Sequence, residues 1–115
     1  MQDCIFCKII AGEIPSEFIH ESEHFVVIKD IQPAAKEHFL LLPKKHVSDI
    51  LDLAKDLDCK EIISELPEVI SAVAKKTGLD ESGFRLVSNC GTSAGQTVFH
   101  LHFHLLGGQQ LGTMC

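Results

Sequence analysis

Tryptophan and tyrosine are both absent from this 115-residue chain, so aromatic packing falls to seven phenylalanines. Long apolar runs are missing too. The longest, Phe39-Leu40-Leu41-Leu42-Pro43, falls far short of the roughly 20 residues a membrane-spanning helix demands. Basic residues are scarce: ten Lys and Arg against 16 Asp and Glu leave a formal charge of −6 and no basic stripe. That balance argues against general electrostatic binding to a nucleic-acid backbone. The opening Met1-Gln2-Asp3-Cys4 lacks the basic start of a secretory signal. No internal repeat, low-complexity tract, glycine-serine linker, Rossmann fingerprint or P-loop interrupts the chain. The expectation is one soluble, cytoplasmic domain over residues 1–115, without a nucleic-acid or membrane partner.

What is present is an ordinary globular composition, 45% hydrophobic and 23% charged, with five cysteines and seven histidines. The odd cysteine count (Cys4, Cys7, Cys59, Cys90, Cys115), without an export signal, points to free or metal-bound thiols rather than a disulfide framework. Periodicity predicts a short helix over Cys4 to Ala11, ended by Gly12. Phe18 to His20 and His24 to Ile28 form a hairpin, with His20 and His24 as surface residues flanking its turn, and His38 to Leu42 is a third strand. Helices follow over Asp49 to Leu57, capped by Ser48, and over Glu61 to Thr77, stopped by Gly78 and bent or split at Pro67. Phe84 to Asn89 and Val98 to Leu106 complete the strands. Strands dominate this reading, and short links favour antiparallel pairing, so the expected class is α+β with about five strands.

The strongest chemical feature is His100-Leu101-His102-Phe103-His104-Leu105-Leu106. Strand alternation would stand the three imidazoles in a row on one face and send Leu101, Phe103 and Leu105 into the core. Three adjacent imidazoles resist being charged together, so at least one is held neutral as a base or ligand. A row along a strand is poor geometry for three ligands on one ion. The loop Gly91-Thr92-Ser93-Ala94-Gly95-Gln96-Thr97 just before it offers backbone N–H groups and small polar side chains to an anion. Together they suggest a phosphate held against a nucleophilic imidazole, His102 being central in the row. Cys90 beside the loop is the competing nucleophile, without the sequence context of a known cysteine enzyme.

Cys4-Ile5-Phe6-Cys7 places two thiols on one helical face, half of a tetrahedral zinc site or else a pair of reduced, buried thiols. His38, Lys44, Lys45 and His46 cluster around the third strand, where each singly reads as a strand-edge or solvated turn residue. Asp30 reads as a turn residue or an acceptor for sugar hydroxyls.

With these segments in view, the chain resembles the histidine triad family, specifically its nucleotide-binding branch of purine nucleoside phosphoramidases. The resemblance covers essentially the whole length. It is carried by Cys4 to Ile10, Asp30-Ile31, His38-Phe39-Leu40-Leu41-Leu42-Pro43-Lys44-Lys45-His46 and, most specifically, Gly95 to Gly108. The resemblance implies an α+β homodimer that joins two sheets and cleaves a phosphoramidate or related bond at the α-phosphate of an AMP- or GMP-type nucleotide. It further implies that His102 is nucleotidylated, that His104 contacts phosphate and aids the leaving group, and that His38 supports His102. Gln96 and Thr97 would hold phosphate oxygens, Asn89 would lie beside phosphate and ribose, and Asp30 would bind ribose hydroxyls. Ile5, Phe6, Ile9, Ile28 and Ile31 match the apolar purine pocket. Relatives with paired N-terminal cysteines imply one structural zinc per chain on Cys4, Cys7, His46 and His100. Two departures bear on leaving-group preference: the sequence ends at Cys115, where relatives continue, and Cys90 stands where an acidic residue is common. Two other readings share the residues: hydrolysis of dinucleoside polyphosphates, and nucleotide binding as an interaction protein with little turnover.

Overall fold

A computed structural model describes residues 3–113. Helix α1 (Ile5–Ile10) is followed by strands β1 (His20–Glu21), β2 (Phe25–Lys29) and β3 (Glu37–Pro43). Helices α2 (Ile50–Ala54), α3 (Cys59–Thr77) and α4 (Leu79–Ser82) come next. Strand β4 (Phe84–Val87), a single 3₁₀ turn at Thr92–Ala94 and strand β5 (Phe103–Gly107) close the chain. The five strands form one antiparallel sheet in the order β1-β2-β3-β5-β4, and with the helices they make an α+β fold. Among the described residues no helix is long and apolar enough to cross a membrane.

Residue parity organises the sheet. Register pairs Val27 with Leu41 and Phe39 with Leu105, so odd-numbered side chains of the three central strands share a face. That face (Phe25, Val27, Phe39, Leu41, Phe103, Leu105) packs on Leu53 of α2, Ile62, Val69 and Val73 of α3, and Leu79 of α4. The even-numbered Val26, Ile28, Leu40 and Leu42 form a second core with Phe6 and Ile9 of α1. Both faces of β2 and β3 are therefore covered, which is why they read as continuous apolar runs rather than alternating ones. The same parity puts His38 and His104 on the α1 face, since Leu40 pairs with His104 and His38 with Leu106.

Several boundaries differ from the sequence expectations. Asp49, not Ser48, caps α2, its carboxylate accepting from Asp52 N–H at 2.8 Å, while Ser48 N–H donates to the Asp52 side chain. Helix α3 is neither split nor delayed to Glu61; it starts at Cys59 and continues through Pro67. Proline cannot donate to the Ile63 carbonyl one turn earlier, but Ile63 is 38% exposed and that side of the helix is open to solvent. Gly78 ends α3 in the left-handed conformation at φ 81°. The strand-dominated balance also gives way, because the 19-residue α3 is the largest element. β4 stops at Val87, and β5 begins at Phe103 rather than Val98. Cys115 lies outside the described residues.

Candidate active site and metal centre

The late start of β5 changes the histidine arrangement. Only His104 sits in a strand; His100 and His102 belong to an irregular approach pinned by Leu101 N–H donating to the Val47 carbonyl at 2.7 Å. Burial still alternates from Leu101 through Leu105, so His102 and His104 share a side with ring centroids 5.0 Å apart. His100 leaves the row. Its ring is fully buried beside Cys4, Cys7 and His46. The expected row of three is therefore a pair plus one, because a non-strand backbone is free to turn His100 inward.

Main-chain groups set the tautomers of three central histidines, and one of these, His38, sets the fourth. A carbonyl only accepts, so His102 Nδ1–H donates to the His100 carbonyl at 2.8 Å, leaving a lone pair on Nε2. His100 Nε2–H likewise donates to the Pro43 carbonyl at 2.8 Å, and its lone pair is on Nδ1. Ala34 N–H donates to His38 Nδ1 at 2.9 Å, so His38 carries its proton on Nε2 and donates to His104 Nδ1 at 2.9 Å. His104 is thereby left with its N–H on Nε2. Burial, then the like charges of His102 and His38, pushes His104 down to about 4. Burial lowers His38 against the opposing pull of Asp30, whose carboxylate lies 3.4 Å from His38 Nε2. Both shifts favour the neutral imidazole at His104 and His38.

His102 and His104 line a cleft of about 410 Å³. Ile5, Phe6, Ile9 and Ile28 form its apolar part, with Asp30 and Thr97 as polar groups at the margin. Ile31 borders the cleft but is 95% exposed. Two expected phosphate-side residues are engaged elsewhere. Gln96 is buried: its side-chain oxygen accepts from Gly91 N–H, and its nitrogen donates to the Ser48 and Val98 carbonyls. It braces the 91–96 loop and has no donor left for an anion. Asn89 Nδ2 donates to the Ala94 carbonyl at 2.8 Å. The Cys90 thiol, raised by burial and the nearby charge of Asp49, stays protonated, which disfavours it as a nucleophile.

Cys4, Cys7, His46 and His100 converge on one point, all four donor atoms lying within 4.8 Å of one another. Cys4 Sγ is 3.4 Å and Cys7 Sγ 3.5 Å from His100 Nδ1; His46 Nδ1 is 3.2 Å from both Cys7 Sγ and His100 Nδ1. A tetrahedron with zinc bonds of about 2.0–2.3 Å has edges of about 3.3–3.7 Å, so the donors fit that ion. The His100 tautomer agrees, because the Pro43 carbonyl holds its proton on the far nitrogen. Without a cation, burial and the neighbouring Cys4 thiol push Cys7 up to about 11. A divalent ion is the partner that would make both thiols give up their protons.

The sequence reading passes over three features. His24 is no plain surface residue: its backbone and Nδ1 meet the Glu65 carboxylate, to which Ser22 Oγ also donates at 2.6 Å, tying the β1–β2 turn to α3. Ala34 N–H and the carbonyls of Pro43 and His100 are invisible in a side-chain reading, yet they decide which imidazole nitrogen is free. Lys44 and Lys45 pair with Glu21 and with Asp56 and Asp58.

His102, its Nδ1–H held by a main-chain carbonyl, and His104 stand side by side on an apolar cleft. Comparison with known proteins gives the lineage. Residues 3–114 match the family described as scavenger mRNA decapping enzyme C-terminal binding. An uncharacterised HIT-like protein of Chlamydia muridarum is 43% identical over 110 residues, covering 96% of this chain and 85% of that one. A histidine triad protein structure from Clostridium difficile superposes with a TM-score of 0.90 at 42% identity, covering 98% of this chain and 96% of that one. A HIT family hydrolase from Legionella pneumophila gives a TM-score of 0.87 at 40% identity, with 96% of each chain covered. The chain belongs to the histidine triad (HIT) family.

Proposed function

We propose that this protein hydrolyses purine nucleoside 5′-phosphoramidates through a nucleotidyl-histidine intermediate. The observation that carries the reading is the His102 Nδ1–H bond to the His100 carbonyl, which makes Nε2 the lone-pair nitrogen of the neutral ring at the cleft. In the first step that lone pair forms a bond to the α-phosphorus while the bond from phosphorus to the amine nitrogen breaks. The amine nitrogen takes a proton from water and leaves as the neutral amine. His104 Nε2–H hydrogen-bonds to a phosphate oxygen or the departing nitrogen without losing its proton, and His38 orients it through His104 Nδ1. Water then displaces His102 and releases the nucleoside monophosphate. The apolar cleft takes the purine, Asp30 the ribose hydroxyls and Thr97 a phosphate oxygen. The Legionella relative's description as a hydrolase agrees with turnover.

Zinc on Cys4, Cys7, His46 and His100 would fasten α1 to the ends of β3 and the β5 approach, a structural contribution only. The homodimer reading is supported by the outer edge of β4. Phe84 and Leu86 there are 44% and 39% exposed, beside Leu66 and Ile70 of α3. Light scattering on purified protein tests that pairing.

The activity test is steady-state hydrolysis of adenosine 5′-phosphoramidate beside a dinucleoside polyphosphate. Faster release of AMP from the phosphoramidate, lost in His102→Ala, is the expected result. Faster cleavage of the dinucleotide would give the polyphosphate reading precedence, and AMP binding without turnover would leave a binding protein.

A further inference from the structure

The metal-type cluster and the imidazole pair share one residue. The His100 ring faces Cys4, Cys7 and His46, while its backbone carbonyl accepts from His102 Nδ1–H. Phe6 makes a second bridge. It lies between Cys4 and Cys7 in sequence, and its ring stands edge-on to His100 at 5.9 Å and to His102 at 5.0 Å between centroids. The same helix turns Ile5 and Ile9 toward the cleft. One short helix and one histidine therefore position both the proposed nucleophile and much of the apolar wall.

We propose that the two sites are thermodynamically coupled: a soft divalent cation on Cys4, Cys7, His46 and His100 and a nucleoside monophosphate in the cleft each strengthen the binding of the other. Phe6 and the His100 main chain are the positioning groups that carry the coupling. The inference rests on the nucleotide reading above and adds regulation to it. Its physical basis is close packing. Fixing the Cys4, Cys7 and His100 donors fixes the helix that holds Phe6 and the carbonyl that holds the His102 ring. By reciprocity, a ligand that orders the His102 face must act back on the donor set by the same factor. α1 has only six residues, too few to be stable as a helix without tertiary ties.

Cobalt(II) substituted into the full-length protein gives a reporter that does not depend on turnover and keeps the donor set filled. Its visible bands respond to the four donors, and AMP is the probe for the cleft. Saturating AMP is expected to shift those bands, with a midpoint equal to the dissociation constant measured by calorimetry. In Phe6→Leu the band shift at AMP saturation is expected to shrink, because only the His100 main-chain link to His102 remains. Ile9→Ala, which trims the cleft without touching either histidine ring, should weaken AMP binding yet keep the full shift at saturation. An unchanged spectrum while AMP binds calorimetrically overturns the coupling, as does an undiminished shift in Phe6→Leu or failure to take up cobalt at this donor set. If AMP does not bind the cobalt-loaded protein, the nucleotide reading falls and the coupling with it.

Discussion

His102 Nδ1–H donates to the carbonyl of His100, two residues earlier, at 2.8 Å, and this one bond gives the ring its direction and its chemistry. The bond requires Nδ1 to carry a proton, so in the neutral ring the lone pair is on the other nitrogen. Removing that lone pair should abolish the chemical step while leaving the cleft intact. His102→Ala is expected to lower kcat by about 10³-fold or more, with AMP affinity within a few-fold of the parent. Stopped-time assays paired with calorimetry check both halves.

His104 supplies a pH signature. Its folded-state value is pushed down to about 4, below the ordinary histidine value of 6.5, chiefly by burial. A depressed histidine stabilises the fold relative to the unfolded chain above 6.5. That contribution is lost as pH falls through the interval from 6.5 to about 4, where only the unfolded chain takes up the proton. His38, lowered in the same direction, adds to the loss. Urea midpoints measured between pH 7 and pH 4 should therefore fall, and the double variant His38→Phe with His104→Phe should flatten that slope.

Metal content and stability are expected to move together. Elemental analysis of protein purified without added metal should find about one zinc per chain, and Cys4→Ser with Cys7→Ser should abolish it. A loss of only about 2 kcal/mol lowers Tm by roughly 10 °C in a domain of this size. Calorimetric melting before and after chelation measures the shift.

The Glu65 clamp predicts a purely structural phenotype. Burial opposes ionisation of Glu65, but the Ser22 and His24 bonds outweigh it and hold the carboxyl below its usual range, while His24 is raised chiefly by Glu65. Glu65 thus contributes stability above the carboxylate range and loses it as pH falls through its lowered value. His24 contributes below 6.5 and loses its share as pH rises through its elevated value. Glu65→Ala removes the acceptor shared by the half-buried Ser22 and His24 and is expected to cost about 1 kcal/mol. Urea unfolding reads the loss, with kcat on the phosphoramidate unchanged because Glu65 lies outside the cleft.

Much of the fold was legible because one side-chain pattern served one purpose. Odd and even positions of Phe25 to Ile28 and Phe39 to Leu42 both face cores, so these strands announce themselves as apolar runs. The ends of elements were less legible, since Asp49 and Ser48 are both competent caps and only the backbone approach selects between them. In the site, the spacing of Cys4 and Cys7 and the cluster of histidines were visible as residue types. The departure of His100 from the row was not, because it depends on where β5 begins to pair. Gln96 reads as an anion donor in sequence, yet three internal bonds consume it, and burial of that kind has no local sequence signal.

The central claim is that His102 Nε2 becomes covalently bonded to the α-phosphorus of a nucleotide. Acid-stable mapping is unsuitable for a phosphorus–nitrogen bond, so the direct measurement is rapid quenching under alkaline conditions during turnover of adenosine 5′-phosphoramidate, followed by intact and peptide mass analysis. The account predicts one adenylyl group per chain on the peptide carrying His102, absent from His102→Ala. An adduct on another residue, or full turnover with no adduct in the parent protein at any quench time, would contradict it.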